Sequence, residues 1–406
     1  MPNLLSLNSY HYPRGGSDVV YLEHAGMFEA EGWNNTFFSM KHPRNLPCKD
    51  EGYFTETVDW EFASGAMDKA RSALASVYNL DARRKLRRLI SERSPDIAHA
   101  HCIYHHLTPA VFPVLAEAGV PIVLTAHDLK LACPAYKMMN SDGICEKCRV
   151  GGRWNVVANR CIKNSLAASA VVGVEAYVHA LLGSYRKHLT RIVAPSRFYR
   201  DKLIEWGWEP GRIVYIPNFV PPADDRFLGG YEGNILYFGR LSEEKGLATL
   251  VRASAASGVA VDLVGSGPKQ DELAALIASL DAPVRLVGRL DGDALWSRVG
   301  QARAVVIPSE WYENAPMSAL EAMQLARPVI GADIGGIPEL LSESGAGASF
   351  PSGDVAALAA QLARFQAMSV SDLAALGQVG SQHVRREFSR ERYVERMKAL
   401  YSDCMK

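Results

Sequence analysis

Residues 304–341 read AVVIPSEWYENAPMSALEAMQLARPVIGADIGGIPELL, and this stretch decides the fold. The apolar run Ala304 to Ile307 is short and bounded by Pro308 and Ser309. It predicts a strand buried on both faces, not an amphipathic helix. Pro316 stands where a helix would take its first turn, and there its missing N–H costs nothing. Met317 to Ala326 is rich in Ala, Leu, Met, Glu and Gln, all strong helix formers. Pro328 to Ala332 then reads as a second strand, and Gly335-Gly336 breaks the pattern. Strand, turn, helix, strand is one unit of a parallel sheet, so the chain is expected to be α/β.

Working outward, the polar residues of this stretch sit oddly for packing alone. Glu313 lies in the turn ahead of the helix and Glu321 lies about a turn and a half into it. The helix start between them offers unpaired N–H groups and the positive end of a helix dipole, which suit an anion. Glu321 could then accept from ribose hydroxyls and Glu313 from a sugar. The plain alternative is two solvated glutamates at a helix entrance.

A second signal opens the C-terminal part. Asn234 to Phe238 predicts a buried strand, followed at once by Gly239-Arg240-Leu241-Ser242-Glu243-Glu244-Lys245-Gly246. A guanidinium and an ammonium leaving one strand end can converge on a pyrophosphate with charge-assisted hydrogen bonds. The alternative is a surface turn in which Glu243 or Glu244 pairs with the cations. Val261 to Val264 ends in Gly265-Ser266-Gly267-Pro268, only the beginning of a dinucleotide fingerprint, so NAD is not indicated. Val284 to Val287 predicts a further strand before Gly288-Arg289-Leu290. Asp291-Gly292-Asp293 reads as a loop.

The N-terminal part has the same grammar. Asn3 to Leu7 predicts a first strand, then a turn through Gly15-Gly16 and a helix from about Asp18 to Glu31. Thr36 to Met40 reads as a strand and Asp68 to Arg93 as one helix with a basic side. Asp96 to Ala100 and Pro121 to Thr125 read as strands, the latter ending at Ala126-His127-Asp128. Strand ends line the ligand crevice of open α/β sheets, so His127 is a candidate to reach a sugar hydroxyl or phosphate. Cys133, Cys145, Cys148 and Cys161 follow, spaced C-x11-C-x2-C-x12-C around the turn formers Asn140-Ser141-Asp142-Gly143. Four thiolates in that pattern suit a closed, structural zinc site, the alternatives being unbound thiols and then disulfides. Leu166 to Leu189 predicts a long, largely apolar helix that covers this module or reaches a membrane interface. Pro217 to Pro222 reads as a stiff linker.

Length and composition fit two ordinary domains. The 406 residues carry 44 Lys+Arg against 44 Asp+Glu, which does not suggest a bulk nucleic-acid binder. Residues 1–215 hold 26 basic and 21 acidic side chains, and residues 216–406 hold 18 and 23, a modest asymmetry. No apolar run is long enough to span a bilayer and the start lacks a leader pattern, so a cytoplasmic, membrane-peripheral protein is expected.

In order along the chain, these motifs resemble the retaining nucleotide-sugar glycosyltransferases of family 4, which have the GT-B fold. The matching elements are the His127-Asp128 strand end, G-R-x-x-x-x-K-G at 239–246, G-x-G-P at 265–268, Glu313 and Glu321 as E-x7-E, and Gly335-Gly336-Ile337-Pro338-Glu339. The His-Asp-x-Lys-x-x-Cys-Pro lead-in is similar to a subgroup with a cysteine-rich insertion. The resemblance implies two Rossmann-like domains facing each other across a cleft. Residues 1–216, with the cysteine module at 133–161, would form the acceptor side, and the last helix, 390–406, would pack back on it. Residues 217–389 would bind the nucleotide sugar. It implies donor contacts at Gly15, Gly16, Arg240, Lys245, Gly265, Leu290, Glu313, Ala315, Pro316, Met317 and Glu321. His127, Glu313, Arg240 and Lys245 would be catalytic. No catalytic metal is implied, and structural zinc would sit on Cys133, Cys145, Cys148 and Cys161. The expected partners are a UDP- or GDP-linked sugar, a glycan or lipid-linked glycan acceptor and the inner membrane surface, without nucleic acid. The expected role is cell-surface polysaccharide or glycolipid synthesis. The alternatives are a catalytically silent scaffold and a sugar-nucleotide epimerase. Asn314-Ala315-Pro316 stands where many members carry Gly-Phe, which suggests a differently shaped sugar pocket.

Overall fold

The computed structural model describes residues 1–57, 65–140, 142–222 and 224–406. Ser141, one of the turn formers of the cysteine module, lies outside them. The chain divides into unit 1, Met1–Pro217 with Val394–Lys406, and unit 2, Asn218–Tyr393.

Unit 1 is built on β1 (Asn3–Leu7), β2 (Asn34–Phe38), β3 (Ile97–Ala100) and β4 (Ile122–Thr125). A two-stranded hairpin of β5 (Met139–Asn140) and β6 (Gly143–Ile144) comes next, then β7 (Arg191–Ala194) and β8 (Ile213–Tyr215). The sheet order is β2-β1-β3-β4-β7-β8, with every pairing parallel. The strand order reverses between β1 and β3, so the segments leaving those two strands diverge at one place.

Unit 2 repeats the plan with β9 (Ile235–Phe238), β10 (Val261–Val264), β11 (Val284–Gly288), β12 (Val305–Ile307), β13 (Val329–Ala332) and β14 (Gly347–Phe350). Its order is β11-β10-β9-β12-β13-β14, the Rossmann arrangement, with the reversal between β9 and β12. The apolar runs are continuous because both faces are covered. Ile235 and Tyr237 of β9 enter one core with Val261, Leu263 and Val306. Leu236 and Phe238 enter the opposite core with Val305, Ile307 and Val329. Alternating side chains of one strand thus feed two layers.

Several expected boundaries move, for local reasons. The helix expected from Asp68 to Arg93 is two helices, Ala66–Val77 and Leu80–Arg93. Tyr78 between them is extended, and Asn79 caps the second by accepting from the Ala82 N–H at 2.9 Å. Tertiary bonds hold this break: Asn79 also donates to the His106 carbonyl at 2.6 Å. The helix expected to Leu189 is Leu166–Leu182, stopped by Gly183 in the left-handed region at φ 69°. The strand expected at Thr36 to Met40 forms two residues earlier, in register with β1 from Asn3↔Asn34 to Leu7↔Phe38. Asp291-Gly292-Asp293 is a helix start and not a loop, because Asp291 is the extended N-cap of Gly292–Gln301. The last helix, Arg390–Cys404, changes allegiance at Val394, where it joins unit 1.

Candidate functional site

The switch point of unit 2 gathers the sequence signals onto two loops. One leaves β9 through Gly239 and Arg240 to Lys245, and the other leaves β12 through Pro308 and Ser309 to Glu313. They touch at Gly246, whose φ is +64° and where an added Cβ would lie 1.9 Å from the Pro308 carbonyl oxygen. Only glycine permits that approach. The Glu310 N–H donates to the Glu244 carbonyl at 3.0 Å, a further tie between the loops.

Arg240 and Lys245 have different surroundings. Arg240 is exposed, and no carboxylate pairs with it among the described residues. The turn reading, in which Glu243 or Glu244 holds the cation, therefore does not describe this loop. Glu244 is buried and accepts from the Ser242 hydroxyl at 2.9 Å. Lys245 instead reaches Glu313, its Nζ 2.6 Å from Oε1, and lies 5.3 Å from the centre of the Trp311 ring. The same Glu313 oxygen accepts from the Ser309 hydroxyl at 2.6 Å. Burial raises the Glu313 carboxyl, but the Lys245 charge and these hydrogen bonds outweigh it and hold the pKa below its ordinary value. Glu313 is thus an ionised, oriented acceptor, and an ammonium has three donors, so Lys245 keeps others after this bond. The Glu313 carbonyl accepts from the Gly336 N–H at 2.7 Å, which couples the 335–336 turn to the loop.

Beyond Glu313, Pro316 precedes the helix Met317–Gln324, and no side chain caps that helix. Its first N–H groups therefore lack a cap from the N-cap side chain, at the positive end of the helix dipole. Glu321 is half-buried in the second turn. Burial pushes its carboxyl up to about 7, and no hydrogen-bond partner for it exists among the described residues. The two glutamates are chemically distinct: one is pinned by a lysine, the other is an acceptor awaiting donors. Gly265 closes against Gly239, with its N–H donating to the Gly288 carbonyl at 2.9 Å. Leu290 packs against the core beside Val287 and Leu295. Ala315 is half-buried between Asn314 and Pro316.

The other expected residues lie in unit 1. Gly15 is extended at φ −156° before the helix Gly16–Ala30, and an added Cβ on Gly16 would meet nothing within 4 Å. The packing of unit 1 therefore does not demand glycine there. His127 follows β4, and its Nε2 lies 2.8 Å from Nδ1 of His101. Burial lowers its pKa to about 4, so the ring is neutral. Asp128 caps the turn Leu129–Leu131 through Lys130 N–H at 3.0 Å, and burial pushes its carboxyl up to about 6.

Sequence reasoning passed over the ladder behind His127. His99 and His101 alternate at the end of β3, their rings stacked at 4.4 Å, and Tyr401 joins His99 to His24. The signal was present in the PDIAHAH segment, two histidines separated by one residue at a strand end. Ser309 and Trp311, which frame Glu313 and Lys245, carried no signal of their own.

The four cysteines of the module are free thiols. Burial, then the charges of the other module cysteines, pushes Cys148 up to about 12. Among the described residues no three His, Cys, Asp or Glu side chains converge closely enough to hold a metal ion. The donor types suit zinc but are not gathered around a centre in this structure.

Two Rossmann-like units, one carrying cations and an open helix start at its switch point, define a glycosyltransferase of the GT-B type. The sequence model of Glycosyltransferase Family 4 matches residues 14–224, and that of Glycosyl transferases group 1 matches residues 232–367. The chain belongs to Glycosyltransferase Family 4. It is 25% identical over 331 residues to alpha-D-kanosaminyltransferase of Streptomyces kanamyceticus, covering 76% of this chain and 75% of that one. It is 31% identical over 286 residues to sulfoquinovosyl transferase SQD2 of Arabidopsis thaliana, covering 66% of this chain and half (50%) of that one. In fold it is similar to sucrose-phosphate synthase of Thermosynechococcus elongatus, with TM-score 0.71, 18% identity and 99% of both chains covered. It is also similar to Anabaena HepE in complex with UDP and glucose, with TM-score 0.66, 15% identity, and 99% and 100% of the two chains covered.

Proposed function

We propose that this glycosyltransferase moves a hexose from a nucleoside-diphosphate sugar to a hydroxyl acceptor with retention at the anomeric carbon. Its place would be the cytoplasmic side of cell-surface polysaccharide or glycolipid synthesis. The observation that carries the reading is the exposed Arg240, without a carboxylate partner among the described residues, on the same loop as Lys245, which pairs with Glu313, ahead of the uncapped start of Met317–Gln324. In this reading Arg240 and Lys245 hold the diphosphate, and the Met317 N–H end of the helix faces its oxygens. As the glycosidic bond breaks, negative charge grows on the departing phosphate, where these groups are worth most. Glu321 accepts from ribose hydroxyls, while Glu313 and the backbone of Ala315 and Pro316 orient the sugar. Gly265 and Leu290 border the base, and UDP is favoured because HepE holds UDP. Gly15, Gly16 and His127 belong to the proposal as the residues unit 1 contributes.

An Arg240→Ala/Lys245→Ala double variant is expected to lose UDP release from sugar donors and most nucleotide affinity. Removing charge-assisted contacts of this kind costs about 1.5–3 kcal/mol each, or tenfold or more. Unchanged turnover would reject the assignment. Structural zinc on the cysteine module is a separate part of the proposal, and no step of the reaction runs through it. Metal analysis should find zinc in the purified protein, and a chelator should lower its melting temperature; metal-free protein of equal stability removes this part.

A further inference from the structure

In unit 1 the helix Leu166–Leu182 turns an uncharged face outward. Leu166, Val174, Tyr177 and Leu181 are all exposed, Leu181 by 86%. Their spacing puts them on one side of the helix. The only Asp, Glu, Lys or Arg in this helix, Glu175, points inward and pairs with buried Lys130 at 2.6 Å. The cysteine module continues the face: Val150 is 89% exposed and Trp154 54%. The Trp154 backbone N–H donates to the Tyr177 hydroxyl at 3.2 Å, so module and helix form one surface. Folded chains rarely leave so many large apolar side chains together without a use for them.

Between module and helix, with the exposed Val150 among its lining residues, lies a pocket of about 440 Å³. Its walls carry Lys130, Arg149, Arg153 and Arg186 against one carboxylate, Glu175. Lys130 is spent on Glu175, and Arg149 pairs with Glu146 and Glu205. No carboxylate pairs with Arg153 or Arg186 among the described residues. Arg186 stacks at 4.5 Å on Trp208 and donates to the Gly207 carbonyl at 2.6 Å. Arg153 lines the same pocket, and burial, then the Arg153 charge, lowers the Arg186 pKa. The surroundings are basic as well: residues 142–187 hold seven Lys+Arg against three Asp+Glu.

We propose that this face docks on an anionic lipid surface, with Arg153 and Arg186 taking a headgroup phosphate while Val150, Trp154 and Leu181 enter the interfacial layer. An apolar face rimmed by cations, with an indole at its edge, is the pattern of an interfacial contact. A second copy of the chain fits less well, because it would bring the same cationic rim to the contact. None of the donor residues is used, so the inference stands or falls independently of the donor reading.

Flotation of the full-length protein with phosphatidylcholine vesicles, with and without phosphatidylglycerol, tests it. Association should require phosphatidylglycerol and weaken with salt. Arg153→Glu should lower it about tenfold or more, since each basic charge near such a surface contributes about fivefold. Leu181→Asp should lower it too, with melting temperature and UDP affinity unchanged in both variants. Equal binding to both vesicle types, or binding indifferent to Arg153→Glu, overturns the proposal. So does inorganic phosphate binding at Arg153 without vesicle binding, which marks a free-anion site. Self-association abolished by Leu181→Asp without vesicle binding overturns it as well.

Discussion

A carboxylate held half-buried without a hydrogen-bond donor is costly in its ionised form, and among the described residues none donates to the Glu321 carboxylate. Its folded pKa of about 7 lies above the ordinary 4.5. A raised carboxyl pKa means the folded chain binds its proton more tightly than the unfolded chain does. The stability tied to that proton is complete below about 4.5 and is lost as pH rises through about 7. Glu321→Gln keeps the shape and removes the charge. Its ligand-free melting temperature should therefore exceed that of the parent at pH 8 and match it near pH 5. Nucleotide binding responds in the other sense, since ribose hydroxyls need the ionised acceptor. Parent affinity for UDP should strengthen between pH 6 and 8, and the Gln variant should bind weakly and without that pH dependence. Equal melting temperatures at pH 8, or a flat affinity profile in the parent, would remove Glu321 from this role. Glu313 offers the internal contrast: Lys245 and Ser309 keep it ionised throughout the same range.

At the scale of elements, the proposed donor site is two loops tied by hydrogen bonds and pressed closest together at one glycine. Gly246 sits at φ +64°, and a Cβ there would lie 1.9 Å from the Pro308 carbonyl oxygen. Gly246→Ala must therefore push the Lys245 loop and the Glu313 loop apart. UDP affinity is expected to fall at least tenfold, because a displacement of about an ångström at a positioned group costs that much or more. Far-ultraviolet circular dichroism should be unchanged, and undiminished affinity would show that the contact is not needed. The elements themselves were legible. The runs NILYF and AVVI could only be strands buried on both faces, and proline and glycine marked where they stopped. The residues proposed to hold the phosphates could be picked out for the same reason, since they follow strand ends. The pairing of Lys245 with Glu313 was not, because 68 residues separate them and only the reversal between β9 and β12 brings them together. The break at Tyr78 was hidden too, since helix propensity runs through it and the Asn79 bonds that cause it come from distant chain.

At the scale of the whole molecule, the chain ends where it began. After completing unit 2 it returns to unit 1, and Tyr401 is fully buried there against the histidine ladder. Its hydroxyl joins His99 to His24, the latter at 2.9 Å. Burial holds both rings below the ordinary histidine value, His24 at about 3, so both are neutral in the fold. A lowered histidine pKa means the unfolded chain binds the proton first. Unit 1 should therefore lose stability as pH falls from about 6.5 toward 4, the opposite sense to the Glu321 effect in unit 2. Tyr401→Phe keeps the ring and removes the hydroxyl, leaving two buried imidazole nitrogens without it. An unmet buried polar group costs about 1–3 kcal/mol. In a unit of this size that is about 2–4 °C of melting temperature for each kcal/mol. UDP, whose diphosphate and ribose the proposal places on unit 2, then adds stability by mass action chiefly to that unit. Calorimetry of Tyr401→Phe with and without UDP should thus show the substitution and the nucleotide moving different parts of the unfolding profile. A substitution that shifted the UDP-responsive part, or moved nothing at all, would show that the returning helix does not anchor unit 1.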